Sequence, residues 1–146
     1  MTAEIGSEDR VAMVRRAWDA YNAGDIEAVL RFFDADVEVY VPTELANAGT
    51  YKGHEEFVRW VAAWNDAWES FDTRVIETVP VGERHAVSHV HQTGIGRGSG
   101  VEVTRDIGWL YEVRDGRCVH VGLHPSFDSA LAVAREREGL ESDVGS

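Results

Sequence analysis

An α+β domain is what the residue pattern predicts, and three observations predict it. Apolar residues in the first half recur at spacings of three and four, the period of a helix. From Thr73 onward they fall into four strand-like segments divided by short, glycine-containing turns. The resulting order is α-α-β-α-β-β-β-β-α: helices first and a meander of strands after, unlike the strict alternation of an α/β protein.

The first helix is expected over about Glu8–Asn22, with Ser7 as N-cap and Val11, Val14, Trp18 and Tyr21 sharing one face. Gly24 stops it, being able to take positive φ, and Asp25 caps a short second helix over Ile26–Phe33. A strand follows from about Asp36 to Pro42, where Val37, Val39 and Val41 alternate with Glu38 and Tyr40. Thr43–Lys52 reads as a loop. A third helix is expected over His54–Ser70, its broad apolar face carrying Trp60, Trp64 and Trp68. Strands are expected over Thr73–Val81, His85–Thr93, Val101–Val113 and Arg117–His124, joined by turns that suit antiparallel neighbours. A last helix, Phe127–Glu138, takes Ser126 as its cap.

Composition sets limits on function. The 146 residues suggest a single domain over 7–138, with 1–6 and 139–146 as flexible termini. Twenty-six acidic residues against 14 basic ones give a net charge of −12, which argues against a nucleic-acid partner. No apolar run approaches the ~20 residues of a membrane helix. The first ten residues lack the pattern of a signal peptide, so a cytoplasmic location is the default. A single cysteine, Cys118, excludes an internal disulfide and any cysteine-based metal site.

Several segments together resemble a known family. They are Trp18-x-x-Tyr21-Asn22-x-Gly24-Asp25, Asp34-x-Asp36-Val37 after Phe32, Tyr51-x-Gly53-x-Glu55, the run Gly94-x-Gly96-x-Gly98-Ser99-Gly100, Arg114-Asp115-Gly116-Arg117, and Ala130-Leu131. This set is similar to the SnoaL-like, polyketide cyclase-like branch of the nuclear transport factor 2-like superfamily. The resemblance implies a cone, in which a strongly curved antiparallel sheet wraps around the N-terminal helices and leaves a central pocket. It also implies homodimers paired across the outer sheet face. The fold hosts polyketide cyclases, ketosteroid isomerase, limonene epoxide hydrolase, scytalone dehydratase and non-catalytic binding proteins, so fold alone does not name the function.

Strand register suggests which residues line such a pocket. With Gly98-Ser99 at the centre of the turn, opposed residues number to a constant sum, so His91 faces Asp106, His89 faces Gly108 and Thr93 faces Thr104. The Arg114–Gly116 turn then sets Leu110 against about Val121 and Gly108 against about Leu123. The apolar set Val119, Val121 and Leu123 suits an inward face, which turns His89, His91, Asp106 and Leu110 inward as well. A slip of one residue would reverse every one of these assignments. The inward register pairs an imidazole with a carboxylate, His91 moving protons and Asp106 orienting it or acting itself. By the resemblance, Tyr40 reaches the pocket and donates a hydrogen bond to a carbonyl. Trp18, Tyr21, Trp60, Trp64 and Trp68 offer flat apolar walls for a planar ligand, although the same spacing also serves an ordinary core. Trp109, Tyr111, His120 and His124 then face outward as a dimer interface. Four metal ligands do not converge in this register, so no metal is expected, and no cofactor is required.

Residue by residue, the enzyme relatives match poorly. The steroid isomerase's carboxylic acid aligns with Gly108 and its base with about Val39, and one aspartate of the epoxide hydrolase aligns with Leu123. That hydrolase's tyrosine and asparagine fall at Glu38 and Tyr40. Asp106 is the best counterpart of a cyclase aspartate. Two functions remain: cofactor-independent acid/base catalysis (cyclisation, isomerisation or dehydration) on a hydrophobic carbonyl compound, or a non-catalytic dimeric module binding a small apolar molecule.

Overall fold

The structure, a computed structural model, describes residues 6–43 and 48–140. The expected flexible termini fall outside the described residues at 1–5 and 141–146. Four helices, α1 (Ser7–Asn22), α2 (Ile26–Phe32), α3 (Gly53–Asp66) and α4 (Phe127–Arg137), accompany six strands: β1 (Phe33–Val41), β2 (Gly49–Lys52), β3 (Trp68–Val81), β4 (His85–Gly96), β5 (Glu102–Arg114) and β6 (Arg117–His124). The strands form one curved sheet in the order β2-β1-β6-β5-β4-β3.

The sheet is mixed, which corrects the antiparallel expectation. β1 runs parallel to β6, while every other neighbouring pair is antiparallel. β1 is separated from β6 by most of the chain, which supplies the long crossover a parallel pair needs. The short strand β2 replaces the second half of the expected loop, part of which lies outside the described residues.

Local signals mostly act as expected. Gly24 has φ 79°. The Asp25 carboxylate accepts the Ala28 N–H at 3.2 Å, and Ser126 and Ser129 form a reciprocal capping box on α4. α1 departs from this, since it begins at Ser7 with Gly6 in the cap position. α3 stops at Asp66 instead of Ser70 because Arg97 reaches over from the β4–β5 turn. Its guanidinium donates to the Asp66 and Trp68 carbonyls at 2.9 and 3.1 Å, and its backbone N–H donates to the Ala67 carbonyl. Trp68 therefore opens β3, its ring lying against Gly94, where a Cβ would stand 2.7 Å from the indole.

Both faces of the sheet are covered. α1, α2 and α3 pack on one face and build the larger core around Val14, Trp18, Phe33, Phe57, Trp60, Ile107 and Trp109. α4 packs on the other, over Val87, Leu110 and the bare backbone of Gly108. A Cβ on Gly108 would stand 2.3 Å from the Ser126 carbonyl oxygen, so this close approach needs glycine. A charged cluster holds the end of α4. His85 Nδ1 pairs with Glu138 at 2.5 Å, and Glu112 accepts from Arg137 at 2.7 Å and from Arg114 at 2.5 Å.

Candidate functional site

The β4–β5 register is the expected one throughout: His91 lies opposite Asp106, His89 opposite Gly108 and Thr93 opposite Thr104. The next hairpin also starts as expected, with Arg114 opposite Arg117 and Val113 opposite Cys118. Its turn uses positive φ at Asp115 (52°) and Gly116 (78°), as a two-residue hairpin turn demands. Then a β-bulge intervenes. Glu112 pairs with His120, leaving Val119 as an extra residue. Beyond it, Leu110 faces Gly122, while Trp109 faces Leu123 and Tyr111 faces Val121.

That single residue inverts the expected lining. Val121 and Leu123 do face the helices, but they bring Trp109 and Tyr111 with them, not Leu110 and Gly108. Ser88, Val90 and Gln92 follow on β4. His89, His91 and Asp106 therefore lie on the opposite face of the sheet from the aromatic interior, and Leu110 is fully buried beneath α4. Trp109 and Tyr111 are 9% and 3% exposed, so they are interior residues and not part of an outer dimer surface.

The paired groups nevertheless meet. His91 Nδ1 is 2.7 Å from Asp106 Oδ1, with His89 Nε2 at 3.8 Å from the same oxygen. The hydrogen bond from His91 holds the Asp106 carboxyl below its ordinary value. His89 stacks on Phe127 of α4. Tyr40 shares this face, 41% exposed, beside His124. The Glu38 carboxylate accepts from His120 Nδ1 at 3.0 Å. Burial lowers the pKa of His120 and His124 against the usual imidazole, with Arg137 adding to the effect in both and Glu38 opposing it in His120. Among the described residues, no three His, Cys, Asp or Glu side chains converge as metal ligands do.

The other face holds the aromatic residues. Trp18, Tyr21, Trp60 and Trp64 come together with Phe33, Phe57, Phe71, Trp109, Tyr111 and Leu123 around a narrow cavity, and Thr73 and Gln92 are its polar members. Trp68 stands behind this wall, packed on Trp64 and Phe71. Trp18 Nε1 donates to the Tyr111 hydroxyl at 2.6 Å, and Trp18 meets Trp109 edge-on with centroids 4.9 Å apart. The open space is about 50 Å³, room for a few water molecules as it stands. A groove of about 450 Å³ adjoins it between the α1–α2 junction, α3 and β3, and shares Tyr21, Val61, Phe71 and Thr73 with the cavity. Tyr21 and Tyr111 are the ionisable groups of the lining, and burial raises the pKa of each, opposed at Tyr111 by hydrogen bonds with Ser88 and Trp18. Both stay protonated at neutral pH.

Sequence reasoning missed Trp109, Tyr111, Thr73 and Gln92 as lining residues. Nothing in β5 marks its inner face, because every residue from Ile107 to Val113 is buried. It also missed Arg105, which stands opposite Gln92 on the interior face and donates to its side-chain oxygen at 2.9 Å.

Comparison with solved structures places this architecture among known ones. Bal32a, from a soil-derived mobile gene cassette, is 21% identical and superposes with a TM-score of 0.74 over 81% of this chain and 89% of that one. A putative SnoaL-like polyketide cyclase from a Jannaschia species is 16% identical, with a TM-score of 0.71 over 92% and 95% of the two chains. TerC, co-crystallised with polyporic acid, is 17% identical, with a TM-score of 0.70 over 86% and 97%. No curated protein matches the sequence. At these identities the likeness is one of fold. A SnoaL-like domain model matches residues 14–121, most of the chain, from within α1 to within β6, and the chain belongs to the SnoaL-like domain family.

Proposed function

We propose that the chain binds a small, flat, largely apolar molecule, which enters by the groove beside β3 and inserts its planar part among the indole rings. The observation that carries this reading is the chemistry of the lining. It has ten aromatic side chains and two neutral polar ones, Thr73 and Gln92, and it contains no Asp, Glu, His, Lys or Cys. Such a surface offers stacking area and hydrogen bonds but no side chain that exchanges a proton at neutral pH. The site therefore holds its ligand without supplying a general acid or base of its own. The small present volume means that a ligand with more than a few atoms inside displaces ring edges toward the groove, which an open-sided cavity permits. The TerC structure, with its bound small molecule, supports the same use of the fold.

A second reading, proton transfer on a carbonyl compound by His91 and Asp106 with Tyr40 as donor, has the 2.7 Å contact in its favour. It ranks lower because Asp106 has a side chain 57% exposed, so nothing there encloses a substrate.

Titration of intrinsic tryptophan fluorescence with planar aromatic probes tests the first reading. The wild type is expected to show saturable binding. Val61→Trp, which plugs the edge shared by cavity and groove, is expected to abolish it while the fold is kept. Equal binding by both proteins overturns the assignment. So does turnover of a carbonyl probe that disappears in His91→Ala and Asp106→Asn but survives in Val61→Trp.

A further inference from the structure

Among the described residues, Arg105 is a cation with no ion-pair partner. The guanidiniums of Arg114 and Arg137, by contrast, both pair with Glu112. Arg105 lies on the opposite side of the sheet, facing the helices, in a row Thr73–Gln92–Arg105 that crosses β3, β4 and β5. Its Nε donates to the Gln92 side-chain oxygen, and its guanidinium carbon lies 5.3 Å from the centre of the Trp64 ring. Thr73, Gln92 and Trp64 all line the aromatic cavity. Arg105 Nη2 is sealed from solvent and has no hydrogen-bond partner among the described residues. Burial lowers the pKa of this guanidinium, and no neighbouring carboxylate offsets it.

A desolvated, unpaired guanidinium N–H is costly, and a native structure retains one where something else completes it. The indole N–H groups of Trp60, Trp68 and Trp109 are likewise buried without a hydrogen-bond partner among the described residues, those of Trp60 and Trp109 in side chains 5% and 9% exposed. The unpaired Nη2–H of Arg105, set beside unpartnered indole N–H donors, specifies the complement: an acceptor-rich molecule carrying negative charge.

We propose that Arg105 is the anchor for a carboxylate, and that the ligand is a small planar organic acid. This deepens the binding reading above and rests on it. The ring enters among Trp60, Trp64 and Trp109. The carboxylate lies along the Gln92–Arg105 row, taking the Nη2–H of Arg105, while Gln92 keeps the guanidinium plane fixed through Nε. Charge-assisted bonds to a preoriented guanidinium discriminate strongly between an acid and its neutral isostere. The acidic surface of the chain slows anion encounter without altering this contact.

The test uses matched pairs of probes, benzoate with benzamide and 2-naphthoate with 2-naphthamide, titrated calorimetrically at pH 7 into the wild type, Arg105→Gln and Arg105→Lys. In the wild type each acid is expected to bind at least about tenfold more tightly than its amide. Arg105→Gln is expected to erase that preference while leaving amide affinity within a factor of about two, and Arg105→Lys to restore part of it. Acid and amide binding alike in the wild type overturns the anchor and leaves the cavity reading standing. This arm needs no variant, so a misfolded Arg105→Gln does not blunt it. An acid preference that survives intact in a folded Arg105→Gln also overturns the anchor. If neither member of any pair binds, the cavity reading falls, and the anchor falls with it.

Discussion

Glu112 holds two guanidiniums at once, those of Arg137 and Arg114, while its own carboxylate is nearly withdrawn from water. Burial alone would raise its pKa; the hydrogen bonds from Arg137 and Arg114 outweigh burial and bring the carboxyl down to about 2. A carboxyl held below its ordinary value of 4.5 favours the fold above that pH, because the unfolded chain binds the proton more readily. The contribution is full above pH 4.5 and is lost as the pH falls from there to about 2. Both arginines are partly solvated, which reduces the effect. Glu112→Gln is therefore expected to cost about 2 kcal/mol at pH 7 in urea unfolding, with the difference from wild type shrinking steadily below pH 4.5. A difference that stays constant from pH 7 to pH 3 would show that the charge is not what matters.

Among the elements, the β5–β6 hairpin decides what the interior contains. Its turn was legible: Asp115-Gly116 sets the first two pairs, and the glycine-centred turn before it sets eleven more in β4–β5. The bulge was not. Cys118 and Val119 are ordinary strand residues, with neither the Gly nor the Pro that often marks an irregularity. Alternation could not expose the error either, since α4 buries one face of β5 and the helices α1 and α3 bury the other. A segment apolar on both sides carries no information about which side is inside. The end of α3 was hidden for a related reason. Trp60, Trp64 and Trp68 continue the helical spacing, whereas the residue that ends the helix, Arg97, is distant in sequence. Deletion of Val119 takes out the unpaired residue and leaves Val113–Cys118, Glu112–His120 and every later pair as they stand, so Trp109 and Tyr111 keep facing the helices. The deletion variant is expected to retain cooperative unfolding and the protected indole environment in near-UV circular dichroism. Loss of both would show that the bulge itself, and not the pairing beyond it, holds the interior together.

At the scale of the whole molecule, sheet and helices depend on one another for burial. The inner faces of α1 and α3 share one core with residues of all the long strands, Val39, Val75, Val90, Trp109 and Val121 among them. Neither layer retains a core when the other is removed. Unfolding by urea is therefore expected to be one transition, with far-UV circular dichroism and tryptophan fluorescence superimposing. Separated curves would reveal a helical layer able to stand alone.

The parallel contact of β1 with β6 has a consequence during synthesis. β1 leaves the ribosome some eighty residues before the strand it must lie beside, as the register Val39–Val121 shows. Until β6 emerges, β1 has β2 on one edge and nothing of the sheet on the other. The sheet thus closes only when its last strand has been made, late in translation.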